Sequence, residues 1–122
     1  MTVEGPVGGA GGVPAVGSGI CVVQVTAPSR SEADRLGRLA VSRRLAACAQ
    51  VSGPVTSTYW WEGEVRSATE WVCTMKTTAA AAPELVAMVE AEHPYEVPEA
   101  LVLPVGGGLT AYLAWVGAEV DR

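Results

Sequence analysis

Two long runs of β-forming residues, Val51–Trp61 and Val65–Thr77, are separated by Glu62-Gly63-Glu64 alone, and no other feature restricts the fold of this chain as much. A connection this short, with Glu62-Gly63 as its tight turn, makes a hairpin, so the runs must pair antiparallel. At about 3.3 Å per residue each arm reaches roughly 36–43 Å, well beyond the five or six residues of an ordinary strand. Helices from so short a chain cannot cover such arms, so part of the hairpin must project.

The arms carry their own instructions. The extended stretch begins at Ala47, and Ser52-Gly53-Pro54 predicts a bulge or kink, because proline has no N–H for a ladder. In the returning arm Trp71, Cys73 and Met75 alternate onto one face. Thr56-Ser-Thr-Tyr-Trp-Trp61 places large aromatics on both faces with no lysine to block edge pairing, which in an isolated strand is an aggregation hazard. Adjacent strand residues point to opposite faces, so Trp60 and Trp61 cannot both enter one core. Self-association through the arms answers both problems.

The remaining elements follow from local pattern. Ile20–Val25 is apolar and β-branched, stopped by Thr26-Ala27-Pro28, and reads as a central strand. Ser31-Glu-Ala-Asp34 resembles a capping box, which predicts a helix from there to about Leu45 with Ala33, Leu36, Gly37, Ala40 and Val41 facing in. Ala82–Glu92 is a second helix, with Pro83 in its first turn and Pro94 ending it. Ala100–Pro104 is a last strand, Gly106-Gly-Gly108 a turn, and Thr110 to about Glu119 a short helix with Leu113 and Val116 inward. The order β-α-β-β-α-β plus a helix predicts an α+β, ferredoxin-like sandwich, with an antiparallel four-stranded sheet, two helices on one face and a long β2-β3 hairpin.

Composition bounds the function. At 122 residues the chain holds one domain, assigned to 20–122, after a Gly-, Val- and Pro-rich leader at 1–19 with the composition of a flexible segment. Eight basic residues against thirteen acids give a net charge of -5, a poor match to nucleic acid or an anionic membrane. No apolar run is long enough to span a bilayer. Cys21, Cys48 and Cys73 form no CxxC pair and are odd in number, which points to a reducing, cytoplasmic setting. The same absence after the first strand excludes a CxxC metal chaperone, the first strand lacks the stacking aromatics of an RNA-recognition module, and no phosphate loop is present. With one histidine and no partner spacing, no catalytic residue is assigned.

Thr26-Ala-Pro28, Arg44-Leu-Ala-Ala-Cys-Ala49, Tyr59-Trp-Trp-Glu-Gly63, Met75-Lys-Thr77, His93-Pro-Tyr-Glu-Val-Pro98 and Tyr112-Leu-Ala-Trp-Val116 resemble, in order and spacing, the CutA divalent-cation tolerance proteins. The resemblance implies a cytoplasmic, non-enzymatic homotrimer, similar in architecture to the PII signalling proteins. It further implies tolerance of divalent metals such as copper, with a metal ion or small molecule held between subunits. The family's copper positions fall on Val25, Glu92 and His93; with the thiol of Cys48, the candidate metal ligands are His93, Glu92 and Cys48. His93 has a second reading as a helix-end residue that bonds terminal carbonyls. The polar and aromatic residues of the matched motifs, Tyr59, Trp61, Glu62, Lys76, Tyr95 and Glu96, are candidate ligand-binding residues. The alternative within the resemblance is a PII-like regulatory trimer that binds a small anionic metabolite, with metal incidental.

Overall fold

The computed structural model describes residues 17–120. The expected leader lies outside the described residues except for its last three, and two of those are tied down: Ser18 Oγ donates to Val105 O at 2.7 Å, and Ala79 N–H donates to Gly19 O at 2.8 Å. The elements are β1 (Ile20–Ala27), α1 (Arg30–Ser42), β2 (Cys48–Trp61), β3 (Glu64–Thr78), α2 (Ala82–Glu92), β4 (Ala100–Val105) and α3 (Thr110–Glu119). The sheet order is β2-β3-β1-β4, all antiparallel, which is the ferredoxin-like arrangement.

Alternation along β1 and β3 builds the core. Val23 pairs with Met75 and Val25 with Cys73, and all four are fully buried with Leu36 and Ala40 of α1 and Leu85 and Val89 of α2. Burial of each large apolar side chain contributes about 1.5–3 kcal/mol, so this layer dominates the stability of the subunit. Gly37 lets α1 approach the sheet: a Cβ there would lie 2.9 Å from Ala49 Cβ and 3.2 Å from Cys73 Sγ.

Two details of α1 differ from the sequence pattern. The N-cap is Ser29, whose Oγ accepts from Glu32 N–H at 3.1 Å, so the capping sequence is Ser29-Arg-Ser-Glu32 and the helix starts before Ser31. The helix ends at Ser42, because Arg43 caps it and Arg44 takes a left-handed φ of 61°. With the chain turning there, Val41 stays exposed while Ala33, Leu36, Gly37 and Ala40 are buried.

The other face of the sheet is only partly covered. Ile20, on the same side of β1 as Val22 and Gln24, packs with Val116 and Val120 from α3 and its end, with Leu113 and Val105 beside them. Arg44 fastens this helix through an ion pair to Glu119 at 2.8 Å. Beyond α3, Leu101 and Leu103 of β4 remain exposed on the open face.

The predicted break in β2 is a bulge. Ser52 pairs with Val72 but Val55 with Glu70, so β2 carries one residue more than β3 between these pairs. An extra residue exchanges the faces of everything beyond it. Cys48 and Gln50 share the open face with Lys76 and Thr74, and past the bulge Tyr59 and Trp61 take that side while Trp60 turns away. Gly53 (φ +149°) makes room for Trp71, whose Cδ1 would meet a Cβ at 2.7 Å.

Candidate functional site

The open face ends, away from α3, in a cleft of about 660 Å³ between the hairpin and the segment that follows α2. Its floor is Glu70 on β3 and Thr26 on β1; the hairpin wall is Ser57, Thr58, Tyr59, Trp61 and Arg66; the opposite wall is Tyr95, Glu96, Val97 and Glu99. The bulge is what aims Tyr59 and Trp61 into it.

Glu70 is 8% exposed, unusual for a carboxylate, and is held by the Tyr95 hydroxyl, which donates to Oε2 at 3.0 Å. Burial, the bond to Glu70 and the nearby charge of Glu70 push the Tyr95 hydroxyl up to about 12, so it remains a donor at any physiological pH. Glu99 Oε2 accepts from Gln24 Nε2 at 3.1 Å. Arg66 is the cation of the cleft, and it is already shared between Glu62 at 3.4 Å and Glu64 at 3.3 Å. The lining therefore sets three carboxylates, Glu70, Glu96 and Glu99, against one already paired guanidinium, and its formal charge is net negative.

His93 lies behind Tyr95. The residue is 8% exposed, and its ring centroid is 4.8 Å from that of Tyr95. Nδ1 accepts from Tyr95 N–H at 3.0 Å, and Nε2 lies 2.7 Å from Thr26 O. A carbonyl oxygen can only accept, so Nε2 carries the proton and both ring nitrogens are occupied. The backbone N–H of His93 closes α2 on Val89 O, but the ring bonds β1 and not the helix carbonyls that the helix-end reading supposes.

The candidate ligand residues thus divide. Tyr59, Trp61, Tyr95 and Glu96 meet in the cleft. Glu62 belongs to the turn and pairs with Arg66, and Lys76, farther along the sheet, donates to Gln50. Thr26, Arg66, Glu70 and Glu99 join the cleft without having been singled out. Glu70 carried a signal in the sequence, an acid among apolar residues of a central strand, whereas the others owe their place to strand register.

The candidate metal ligands do not meet within the subunit. Glu92 faces α1, paired with Arg35 at 3.3 Å and Arg43 at 3.8 Å. Cys48 pairs with Lys76 at the α3 end of the open face and contacts the Tyr112 hydroxyl, which burial first and the thiol second hold above its usual range. Lys76 in turn lies opposite Val22, four residues along β1 from Thr26, so Cys48 and His93 are separated by roughly 13 Å along the strands. Among the described residues no three His, Cys, Asp or Glu side chains are grouped to hold a metal ion. A copper site needs three or four N or S donors, and this set does not fit one.

Known proteins match this arrangement over nearly all the described residues. The family model for the CutA1 divalent ion tolerance protein matches residues 21–119. The divalent-cation tolerance protein CutA of Salmonella newport is 39% identical over 99 residues, 81% of this chain and 86% of its own. The chloroplastic Protein CutA 1 of Oryza sativa is also 39% identical, over 95 residues that are 78% of this chain but only 54% of the rice protein, so the chain spans about half of that relative. The solved divalent cation tolerance protein of Thermus thermophilus superposes with a TM-score of 0.82 and 39% identity, over 84% of this chain and 99% of that one. Fold, motifs and relatives agree, and the chain belongs to the CutA family of divalent-ion tolerance proteins.

Proposed function

We propose that this chain serves divalent-cation tolerance as a non-catalytic homotrimer that holds a positively charged ligand in the cleft, with a neighbouring subunit completing the site. The charge of the cleft carries this reading: Glu70, Glu96 and Glu99 face a single arginine whose charge Glu62 and Glu64 already take up. An anionic metabolite would meet repulsion there, which disfavours the PII-like alternative. Exposed Tyr59, Trp60 and Trp61 on the arm, together with Val65 opposite Trp60, support assembly, since Trp60 alone is 74% exposed in the subunit.

The state of two of the three thiols and of the imidazole supports the non-catalytic reading. Burial raises the Cys21 thiol, and burial with the charge of Asp34 pushes the Cys73 thiol up to about 11, which leaves little thiolate at neutral pH. His93 has no free nitrogen to serve as a base. Three unpaired thiols suit the cytoplasm.

Light scattering after size-exclusion chromatography tests the trimer. Calorimetric titration with copper, zinc and magnesium, beside a thermal-shift panel of amines, nucleotides and organic acids, tests the ligand. A ligand at one hundred times its Kd stabilises by about 2.7 kcal/mol, a shift of several degrees. Stabilisation by anions with none by cations would overturn the reading, as would a monomer at micromolar concentration.

A further inference from the structure

We infer that His93 is a positioning residue of the cleft and not a metal ligand: as the Nε2–H tautomer it bridges Thr26 O and Tyr95 N–H, and so fixes the wall that carries Tyr95. The bridge spans 67 residues of sequence, from the end of β1 to the segment after α2. On one side Nε2–H donates to the Thr26 carbonyl at 2.7 Å; on the other Nδ1 accepts from the Tyr95 amide at 3.0 Å. The next link is the Tyr95 hydroxyl, which donates to Glu70 at 3.0 Å. The imidazole ties this wall of the cleft to the central strand from a site that is 8% exposed, whereas the wall's other link to β1, Glu99 to Gln24, is an exposed one.

Metal ligation competes with this role atom for atom. A metal on Nδ1 would leave the Tyr95 amide without its acceptor, and a metal on Nε2 would require loss of the proton given to Thr26. Each change leaves a polar group without its hydrogen-bond partner, a loss that metal binding would have to offset. The neighbours that would have to complete a site are occupied as well, since Glu92 is paired with Arg35 and Arg43. The reason Tyr95 must be placed rests on the proposed cleft, but the tautomer and the bridge do not.

Because His93 is the only histidine in the chain, its ring nitrogens can be read without assignment ambiguity in the uniformly ¹⁵N-labelled protein. Long-range ¹H–¹⁵N correlation should show Nε2 protonated and Nδ1 bare, and saturating zinc alone should leave both shifts in place. A protonated Nδ1, or a zinc-dependent shift of either ring nitrogen, would overturn the inference. Amide hydrogen exchange at Tyr95 is the second readout: His93→Ala should speed it about five- to tenfold, the effect of losing one hydrogen bond, and His93→Asn, which retains an acceptor near Nδ1, should restore part of the protection. Equal protection in wild type and His93→Ala would also overturn it, and should that variant fail to fold, the wild-type nitrogen shifts still decide. Failure of the cleft to bind a cation would leave all these readings unchanged, so the two proposals fail separately.

Discussion

Tyr95→Phe removes one hydroxyl from the cleft and leaves the ring, so it isolates the bond to Glu70. That bond joins a carboxylate that is 8% exposed to a donor 3.0 Å away. Hydrogen bonds to charged groups contribute about 1.5–3 kcal/mol, and the partial access of the cleft to water places the expected loss near the lower bound, about 1.5–2 kcal/mol. Urea denaturation at pH 7 should show this as a lower midpoint with an unchanged slope. A double-mutant cycle with Glu70→Gln should recover about 1 kcal/mol of coupling, because each single change removes the charge-assisted part of the same bond. The pH dependence supplies an independent check. The Tyr95 hydroxyl is raised in the folded state to about 12 from an ordinary value of 10.0, so the folded protein keeps a proton that the unfolded chain gives up. Its contribution is fully present below pH 10 and is lost as pH rises from 10 toward 12. Cys73 and Tyr112 are also raised and weaken the fold in alkali, so the quantity to follow is the difference between wild type and Tyr95→Phe, which should shrink steadily over that window. A variant within about 0.5 kcal/mol of wild type at pH 7, or a difference constant to pH 12, would refute the argument.

Three further outcomes follow from the same geometry. Gly53→Ala sets a Cβ 2.7 Å from Trp71 Cδ1 and 3.2 Å from the Glu70 carbonyl at a φ of +149°; it should cost about 1–3 kcal/mol and shift tryptophan emission, and an unshifted spectrum at wild-type stability would remove the bulge from the argument. Ser29→Ala should cost about 1 kcal/mol by thermal melting while Ser31→Ala stays within about 0.5 kcal/mol, and the reverse order would restore the cap to Ser31. Trp60→Lys charges the exposed outer side of the arm opposite Val65 and should shift the oligomer toward monomer by about tenfold or more in dissociation constant, measured by analytical ultracentrifugation; an unchanged distribution would exclude that side from the contact.

The site residues differ in how far they were legible. Tyr59, Trp61, Tyr95 and Glu96 belong to motifs that are compact in sequence, so they could be singled out before any strand was placed. Thr26, Arg66, Glu70 and Glu99 come from three separate places, β1, β3 and the segment before β4, and share a cleft only once the sheet has set β3 beside β1 and Glu99 on Gln24. His93 was visible as the only histidine, yet its chemistry was not: Thr26 O, the atom that fixes its tautomer, lies 67 residues away. The cap of α1 was missed for a more local reason, because two overlapping segments, Ser29 to Glu32 and Ser31 to Asp34, both satisfy the capping pattern.

Short-range pattern settled the element order, the long hairpin, the break at Ser52-Gly53-Pro54 and the alternation of Trp71, Cys73 and Met75 onto one face. Periodicity and turn chemistry act over a few residues, so the chain carries them wherever it is read. Tertiary structure alone decided which tryptophan of the adjacent pair faces the cleft, because one extra residue in β2 exchanges sides and only the pairing with β3 counts it. It also decided that His93 bridges two backbone groups while Glu92 and Cys48 lie elsewhere. Those are contacts between segments far apart in sequence, and their geometry exists only once the sheet has closed.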